Sequence, residues 1–314
     1  MLASRWRPYV VLFIGVLTVS SSSILIRYAQ DDGAGSLVIS AWRVTVAALL
    51  LTPVVLTRYR ADLSRLTRRE IVLMAVGGAL LGLHFATWIT SLEYTSVATS
   101  VTLVTSNPLW VALAAPFLLN ERLTRNKLMA VIMAVIGGVI ISTASGAGTA
   151  KYQDAPLLGD GLAIVGAVAI AGYFIVGQKV RSSVSIIPYI WLTYSVGAVV
   201  LIAAVVVARQ PVTGLAPQAY LWMTLVAVLP QLIGHSSYNY ALGYLSAAFV
   251  ALSALGEPIG STILAAFLLH EVPVWLQVVG GAMILIAVVI ASREEGQRQA
   301  AHRMDAAGEP IGVA

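Results

Sequence analysis

The sequence predicts an all-α polytopic membrane protein: ten transmembrane helices in two inverted-topology five-helix repeats, with both termini cytoplasmic. Three observations predict it: a shortage of charge, ten apolar segments of spanning length, and a self-match at a fixed offset. Of the 314 residues, 59% are hydrophobic and only 11% are charged. Soluble domains carry about a quarter charged residues, so this chain lacks the polar coat that a water-soluble core of its size requires. The formal charge of +5 comes from 19 basic residues spread along the chain. They make no dense basic face, which argues against nucleic acid as a partner. With no cysteine, disulfides, thiolate metal sites and cysteine nucleophiles are excluded.

A hydrocarbon core of about 30 Å takes about 20 apolar residues of helix. Segments 9–29, 37–57, 71–91, 97–119, 128–145, 159–178, 187–208, 219–240, 248–269 and 274–292 meet that length. Runs such as 132–142 are continuously apolar, unlike the alternating strands of a membrane barrel. At the first segment, Arg5 and Arg7 precede an apolar run and Ser20 to Ser23 could pass for a cleavage region. The apolar stretch resumes at Ile24, so an uncleaved span is expected. Residues 293–314 read as a disordered cytoplasmic tail.

Orientation follows the basic residues. With the N-terminus inside, the arginines and lysines at 5–7, 58–69, 122–127, 179–181 and 293–303 all fall on the cytoplasmic side. Outside segments hold only Lys151 and Arg209, while Arg27 and Arg43 lie within spans. The expected location is therefore the cell inner membrane.

Sliding the chain by 150 residues lays 94–142 on 244–292 without a gap. Tyr94/Tyr244, Ser96/Ser246, Pro108/Pro258, Phe117/Phe267 and Glu121/Glu271 are identical pairs, and the same offset sets Trp88 on Tyr238. The unit, 1–145 and again 159–292, holds five spans. Five is odd, so the second copy enters the membrane from the opposite side. The charges agree: Arg122, Arg125 and Lys127 follow Glu121, whereas Val272-Pro273-Val274 follow Glu271. Inverted repeats of this kind place a substrate site near the midplane between the halves.

Ala41-Trp42-Arg43 before an apolar helix, with the Pro-to-Glu hairpins from Asn107-Pro108 to Glu121 and from Glu257-Pro258 to Glu271, resembles the EamA-type members of the drug/metabolite transporter superfamily. The resemblance covers roughly 9–292, with Asn120 and His270 standing where the family usually has Gly before the Glu. It implies a ten-helix exporter of small metabolites working by alternating access. Among bacterial branches, amino-acid exporters, including the YddG-type aromatic amino-acid exporters, are similar in length and span layout.

Polar side chains inside spans are costly and face cavities or other helices. His84 and Trp88 share one face of the third span, and Gln231, His235 and Tyr238 or Asn239 share one face of the eighth. Histidine, tryptophan, glutamine and tyrosine can hold a zwitterion by hydrogen bonds and a flat side chain by stacking. The plainer reading satisfies both histidines with helix carbonyls. Thr95, Thr99, Thr102 and Ser106 make a polar stripe that also serves close packing. Asn107-Pro108 and Glu257-Pro258 fall near the midplane, where each proline kinks its helix and frees a carbonyl four residues earlier, Val104 and Ala254.

Glu257 is the carboxylate placed deepest in the membrane, and proton coupling, ammonium binding or a structural bond into the kink are all open to it. Ser22 and Tyr173 fall at similar depth as further substrate-binding candidates. Arg43, about six residues into its span, reads as a structural anchor snorkelling to the outer interface, with substrate carboxylate binding as the lesser alternative. Gly77-Gly78, Gly137-Gly138 and Gly280-Gly281 read as close helix contacts.

No metal or cofactor is expected. The partners expected are a small-molecule substrate and the bilayer, for a monomer. Amino acids are the favoured cargo, with cationic drugs, nucleosides or sugars as the alternative. A channel and an intramembrane enzyme fit less well: Gly159-Asp160 lacks the preceding glycine and the partner aspartate of a membrane protease, and no Walker loop or His-Glu-x-x-His is present.

Overall fold

The computed structural model describes residues 2–95, 100, 103–119, 124–144, 155–268 and 275–307. The expectations for Thr99, Thr102, Asn120, Glu121, Arg122, His270 and Glu271 lie outside the described residues. All regular structure among the described residues is helical. In chain order the helices are α1 (Leu2–Val19), α2 (Ser22–Asp31), α3 (Ser36–Arg58), α4 (Arg60–Ser64), α5 (Arg68–Tyr94), α6 (Asn107–Leu118), α7 (Arg125–Ala144), α8 (Pro156–Arg181) and α9 (Ile186–Val207). They continue as α10 (Pro217–Val226), a π helix (Ala227–His235), α11 (Ser236–Ala241), α12 (Ala247–Ala254), α13 (Gly256–Leu268) and α14 (Trp275–Ala307). Among the described residues, five helical segments are long and apolar enough to cross a membrane: Trp6–Asp31, Ser36–Arg58, Arg68–Tyr94, Pro156–Arg181 and Ile186–Val207. Shorter apolar helices cover Asn107–Leu118 and Ala247–Ser261.

The packing follows the 150-residue offset. Helix α3 packs on α9 and α7 on α14, each against the helix 150 residues further on. The long contact of α5 with α8 has its counterpart in that of the π helix and α11 with α1. Small residues allow the approach: a Cβ at Gly78 would stand 2.5 Å from the Thr193 carbonyl, and one at Gly137 would stand 2.6 Å from that of Gly280.

Hydrogen bonds tie each end of the bundle. At one end the Ser36 backbone N–H donates to Glu93 (3.2 Å), Trp222 Nε1 to Asp32 (2.9 Å) and Thr95 Oγ1 to Asp160 (2.9 Å). At the other end Ser183 donates to Glu70 (2.7 Å) and Ser185 to Asp62 (3.1 Å), beside the Thr67–Glu70 capping box that starts α5. Helix α3 thus starts at the first end and α9 at the second, so these offset-related helices run antiparallel.

Three helices are interrupted inside the bundle. The serine run that resembled a cleavage region is the break between α1 and α2, where Ser20 and Ser21 donate to the carbonyls of Val16 and Thr18 (both 2.7 Å). Helix α6 begins at Asn107 with Pro108 in its first turn, and α13 begins at Gly256 with Glu257 in its first turn. Proline suits a first turn, where its missing N–H has no helical partner to lose.

The described part of the expected tail, 293–307, departs from expectation. Where the sequence reading stops the last span at 292 and leaves a disordered tail, α14 continues to Ala307. Glu295 holds the extension: it is buried and accepts from the Ser246 backbone N–H (3.1 Å) and Oγ (2.7 Å), while Thr124 donates to Glu294. Glu294 and Glu295 thus tie α14 to the N-termini of two neighbouring helices.

Candidate substrate cavity

The breaks in α1–α2, before α6 and before α13 converge on a cavity. Its main chamber encloses about 450 Å³ of empty space, openings included, and is lined by His84, Trp88, Asn107, Phe174, His235, Tyr238 and Glu257 together with Val19, Val104, Thr105, Ile170 and Ala254. A second chamber of about 360 Å³ shares Trp88, Val104, Thr105 and Glu257 and adds Ser20, Ser22, Ser23, Pro258 and Ser261. Apolar walls with a few convergent polar groups are the usual composition of a small-molecule site.

Several polar groups on the wall are held by named partners. His84 Nδ1 lies 2.9 Å from the Gly166 carbonyl, so that nitrogen carries the hydrogen, and in the neutral ring Nε2 is left as an acceptor. The same imidazole stacks on Trp88, ring centroids 5.7 Å apart and 14° between planes. Across the chamber Tyr238 packs edge-on against Phe174 (6.0 Å) and beside His235 (5.7 Å). The Tyr238 hydroxyl donates to the Glu257 carboxylate at 2.8 Å.

The two proline junctions use their side chains differently. Pro108 leaves the Val104 carbonyl without a helical donor, and the Asn107 side-chain amide supplies one at 3.3 Å. Glu257, at the equivalent position, is turned to Tyr238. Four polar atoms of this region find no hydrogen-bond partner among the described residues: Trp88 Nε1, Asn107 Oδ1, His235 Nδ1 and Ser22 Oγ. Buried polar groups are normally paired, so a site with unspent donors and acceptors in both halves is equipped to bind a polar molecule.

The structure brings His84, Trp88, Asn107, His235, Tyr238 and Glu257 together on the main chamber, with Ser22 and Pro258 on the second. Pro108 is buried in the first turn of α6. Three expected positions differ. Tyr173 is fully buried off the cavity, its hydroxyl accepting from Asn239 Nδ2 at 2.5 Å, while its neighbour Phe174 takes the wall. Gln231 and Asn239 leave the face they would share with His235: Gln231 bonds Arg43, and Asn239 turns to Tyr173 and to the His235 carbonyl (2.8 Å). The π winding of 227–235 contains Gln231 and His235, whereas Asn239 follows it in α11; what draws the two side chains away is the partner each meets, Arg43 for Gln231 and Tyr173 for Asn239.

Arg43 does not snorkel. Its side chain has no exposed surface, and Nε donates to Gln231 Oε1 at 3.0 Å. Its guanidinium carbon stands 3.8 Å from the centroid of the Phe85 ring, a cation–π contact in a dry site. Phe174 and Phe85 escaped the sequence reading because an apolar aromatic in an apolar span carries no signal.

Comparison with known proteins gives this site a setting. The sequence profile described as the EamA-like transporter family matches twice, at residues 6–143 and 157–293. A probable terminal-alkyne amino-acid exporter of Streptantibioticus cattleyicolor is 27% identical over 302 residues, spanning 92% of this chain and 95% of that one. The uncharacterized transporter YyaM of Bacillus subtilis is 22% identical over 257 residues, 81% of this chain and 83% of the other. A WAT1-related protein of Arabidopsis thaliana is 27% identical over 139 residues, 44% of this chain and 41% of its own length. A solved crystal structure superposes with a TM-score of 0.76 over 93% of this chain and 98% of that one, at 17% identity, which shows a shared fold.

Proposed function

Because the chain belongs to the EamA-like transporter family, we propose that it exports small organic metabolites, amino acids foremost, across the inner membrane by alternating access to the central cavity. In this reading 1–145 and 159–292 are inverted five-helix repeats, ten spans in all with cytoplasmic termini. The half-helices that start at Asn107 and Gly256 flank the site from the two repeats.

The observation that carries the reading is Glu257: a carboxylate on the wall of an aromatic-lined chamber, oriented by Tyr238 at 2.8 Å. A carboxylate so held suits a substrate ammonium, and Trp88, Phe174 and Tyr238 suit an apolar or aromatic side chain beside it. The amino-acid exporter among the relatives, matched over nearly its full length, supports that cargo. In the return step the same carboxylate can take a proton in place of the ammonium, which would couple export to proton antiport.

The test is a panel of labelled solutes in proteoliposomes containing purified protein. Phenylalanine or another amino acid should exchange, and a pH gradient should drive its accumulation. Movement of a drug cation, nucleoside or sugar with no movement of any amino acid would overturn the cargo and leave the architecture standing.

A further inference from the structure

Arg43 is supported on two sides and unfinished on a third. Phe85 carries its face and Gln231 takes Nε, yet neither Nη1 nor Nη2 has a hydrogen-bond partner among the described residues. Gln231 spends its oxygen on Arg43, and its Nε2 is also unpartnered. The result is a buried cluster in which three N–H groups, Arg43 Nη1 and Nη2 and Gln231 Nε2, meet no acceptor among the described residues. A guanidinium taken out of water is costly unless its remaining N–H groups meet acceptors, and its planar fork matches a carboxylate with two parallel bonds. Glu257 lies within electrostatic reach of Arg43, and the bond its Oε1 accepts comes from Tyr238.

We propose that Arg43, steadied by Phe85 and Gln231, is a carboxylate-binding residue for the transported substrate. The claim rests on the amino-acid reading above and deepens it: Glu257 takes the ammonium and Arg43 the carboxylate, so the zwitterion spans the two charges. Arg43 stands one layer behind the cavity wall. His235 lines the chamber and packs edge-on against Phe85 at 5.2 Å, and Phe85 carries the guanidinium. Gln231 and His235 sit on the same π helix, 227–235, which also contains Pro230. Such segments recur at functional sites, and a change in its winding would move Gln231, which steadies Arg43, together with His235, which packs on Phe85. Arg43 is then engaged during the transport cycle, in a state other than the one described.

The experiment compares four probes that differ at one end: phenylalanine, its carboxamide, phenethylamine and phenylpropionate. Proteoliposome exchange is measured with the wild type, Arg43→Gln and Arg43→Lys, and ligand-induced thermal stabilisation is measured on wild type in detergent. Wild type should exchange and be stabilised by phenylalanine far more than by its carboxamide. Arg43→Gln should lose about tenfold to hundredfold on phenylalanine, the worth of a charged hydrogen bond, with little change on the carboxamide. Arg43→Lys should recover part of that loss. Equal losses on acid and carboxamide, or no loss on either, would overturn the proposal. Should Arg43→Gln not fold, equal stabilisation of wild type by phenylalanine and its carboxamide does the same. If no amino acid is carried, the cargo reading fails by itself. Arg43 is then judged on phenylpropionate, with stabilisation measured on Arg43→Lys as well: weaker stabilisation of Arg43→Lys than of wild type supports it, and equal stabilisation of the two, or no binding of any carboxylate, ends it.

Discussion

The two proline junctions share a backbone design and differ in chemistry. Asn107-Pro108 and Glu257-Pro258 stand 150 residues apart, each in the first turn of a half-helix that starts inside the bundle. Asn107 spends its amide locally on Val104. Glu257 reaches across to Tyr238 and faces both chambers. The facing helices repeat the contrast: α5 is regular α helix through His84 and Trp88, whereas its counterpart is wound as π helix before His235. Repeated architecture supplies the cavity, and departures from the repeat supply its polarity. The second half holds the carboxylate, while the first holds the stacked His84–Trp88 wall and the Arg43 guanidinium on Phe85.

The comparison can be broken by exchanging what differs. Glu257→Gln keeps the shape and removes the charge; phenylalanine exchange should fall about tenfold to hundredfold, the worth of a charge-assisted hydrogen bond, and should cease to follow a pH gradient. An unchanged rate and pH response would remove Glu257 from binding and coupling alike. Tyr238→Phe leaves the carboxylate but removes the donor that orients it; exchange should fall about threefold to tenfold, from ~0.5–1.5 kcal/mol for a neutral donor, and a loss as large as that of Glu257→Gln would mean that Tyr238 itself meets the substrate. At the other junction, Asn107→Ala should show mainly as lost stability, about 1–3 kcal/mol for leaving the Val104 carbonyl unpaired, read as a lower melting temperature in detergent. Exchange by the folded fraction should change less than in either other variant. Were Asn107→Ala the most damaging to transport, the division of labour between the junctions would be reversed.

Much of this was legible from the residues, for reasons that also mark the limit. Hydropathy located the five described helices of spanning length, and the 150-residue offset paired Pro108 with Pro258, because bilayer thickness and a sequence repeat leave few alternatives. Polar residues in apolar spans pointed to many of the polar groups that line the cavity, because burial in lipid demands a reason. Direction was harder. The inward turn of Arg43 depends on Phe85 and Gln231 from two other helices, which no local pattern announces. The turn of Gln231 and Asn239 away from the chamber depends on Arg43 and Tyr173, again from other helices. Glu294 and Glu295 look like solvent charge until Thr124 and Ser246 are placed beside them.

The absence of cysteine allows one direct test of alternating access. A single cysteine at Ser23, on the wall of the second chamber, is exposed to a membrane-impermeant thiol reagent added to either face of oriented vesicles. The account predicts modification from each face, slowed from both when phenylalanine is present. Modification from one face only, with phenylalanine exchange intact, would contradict it.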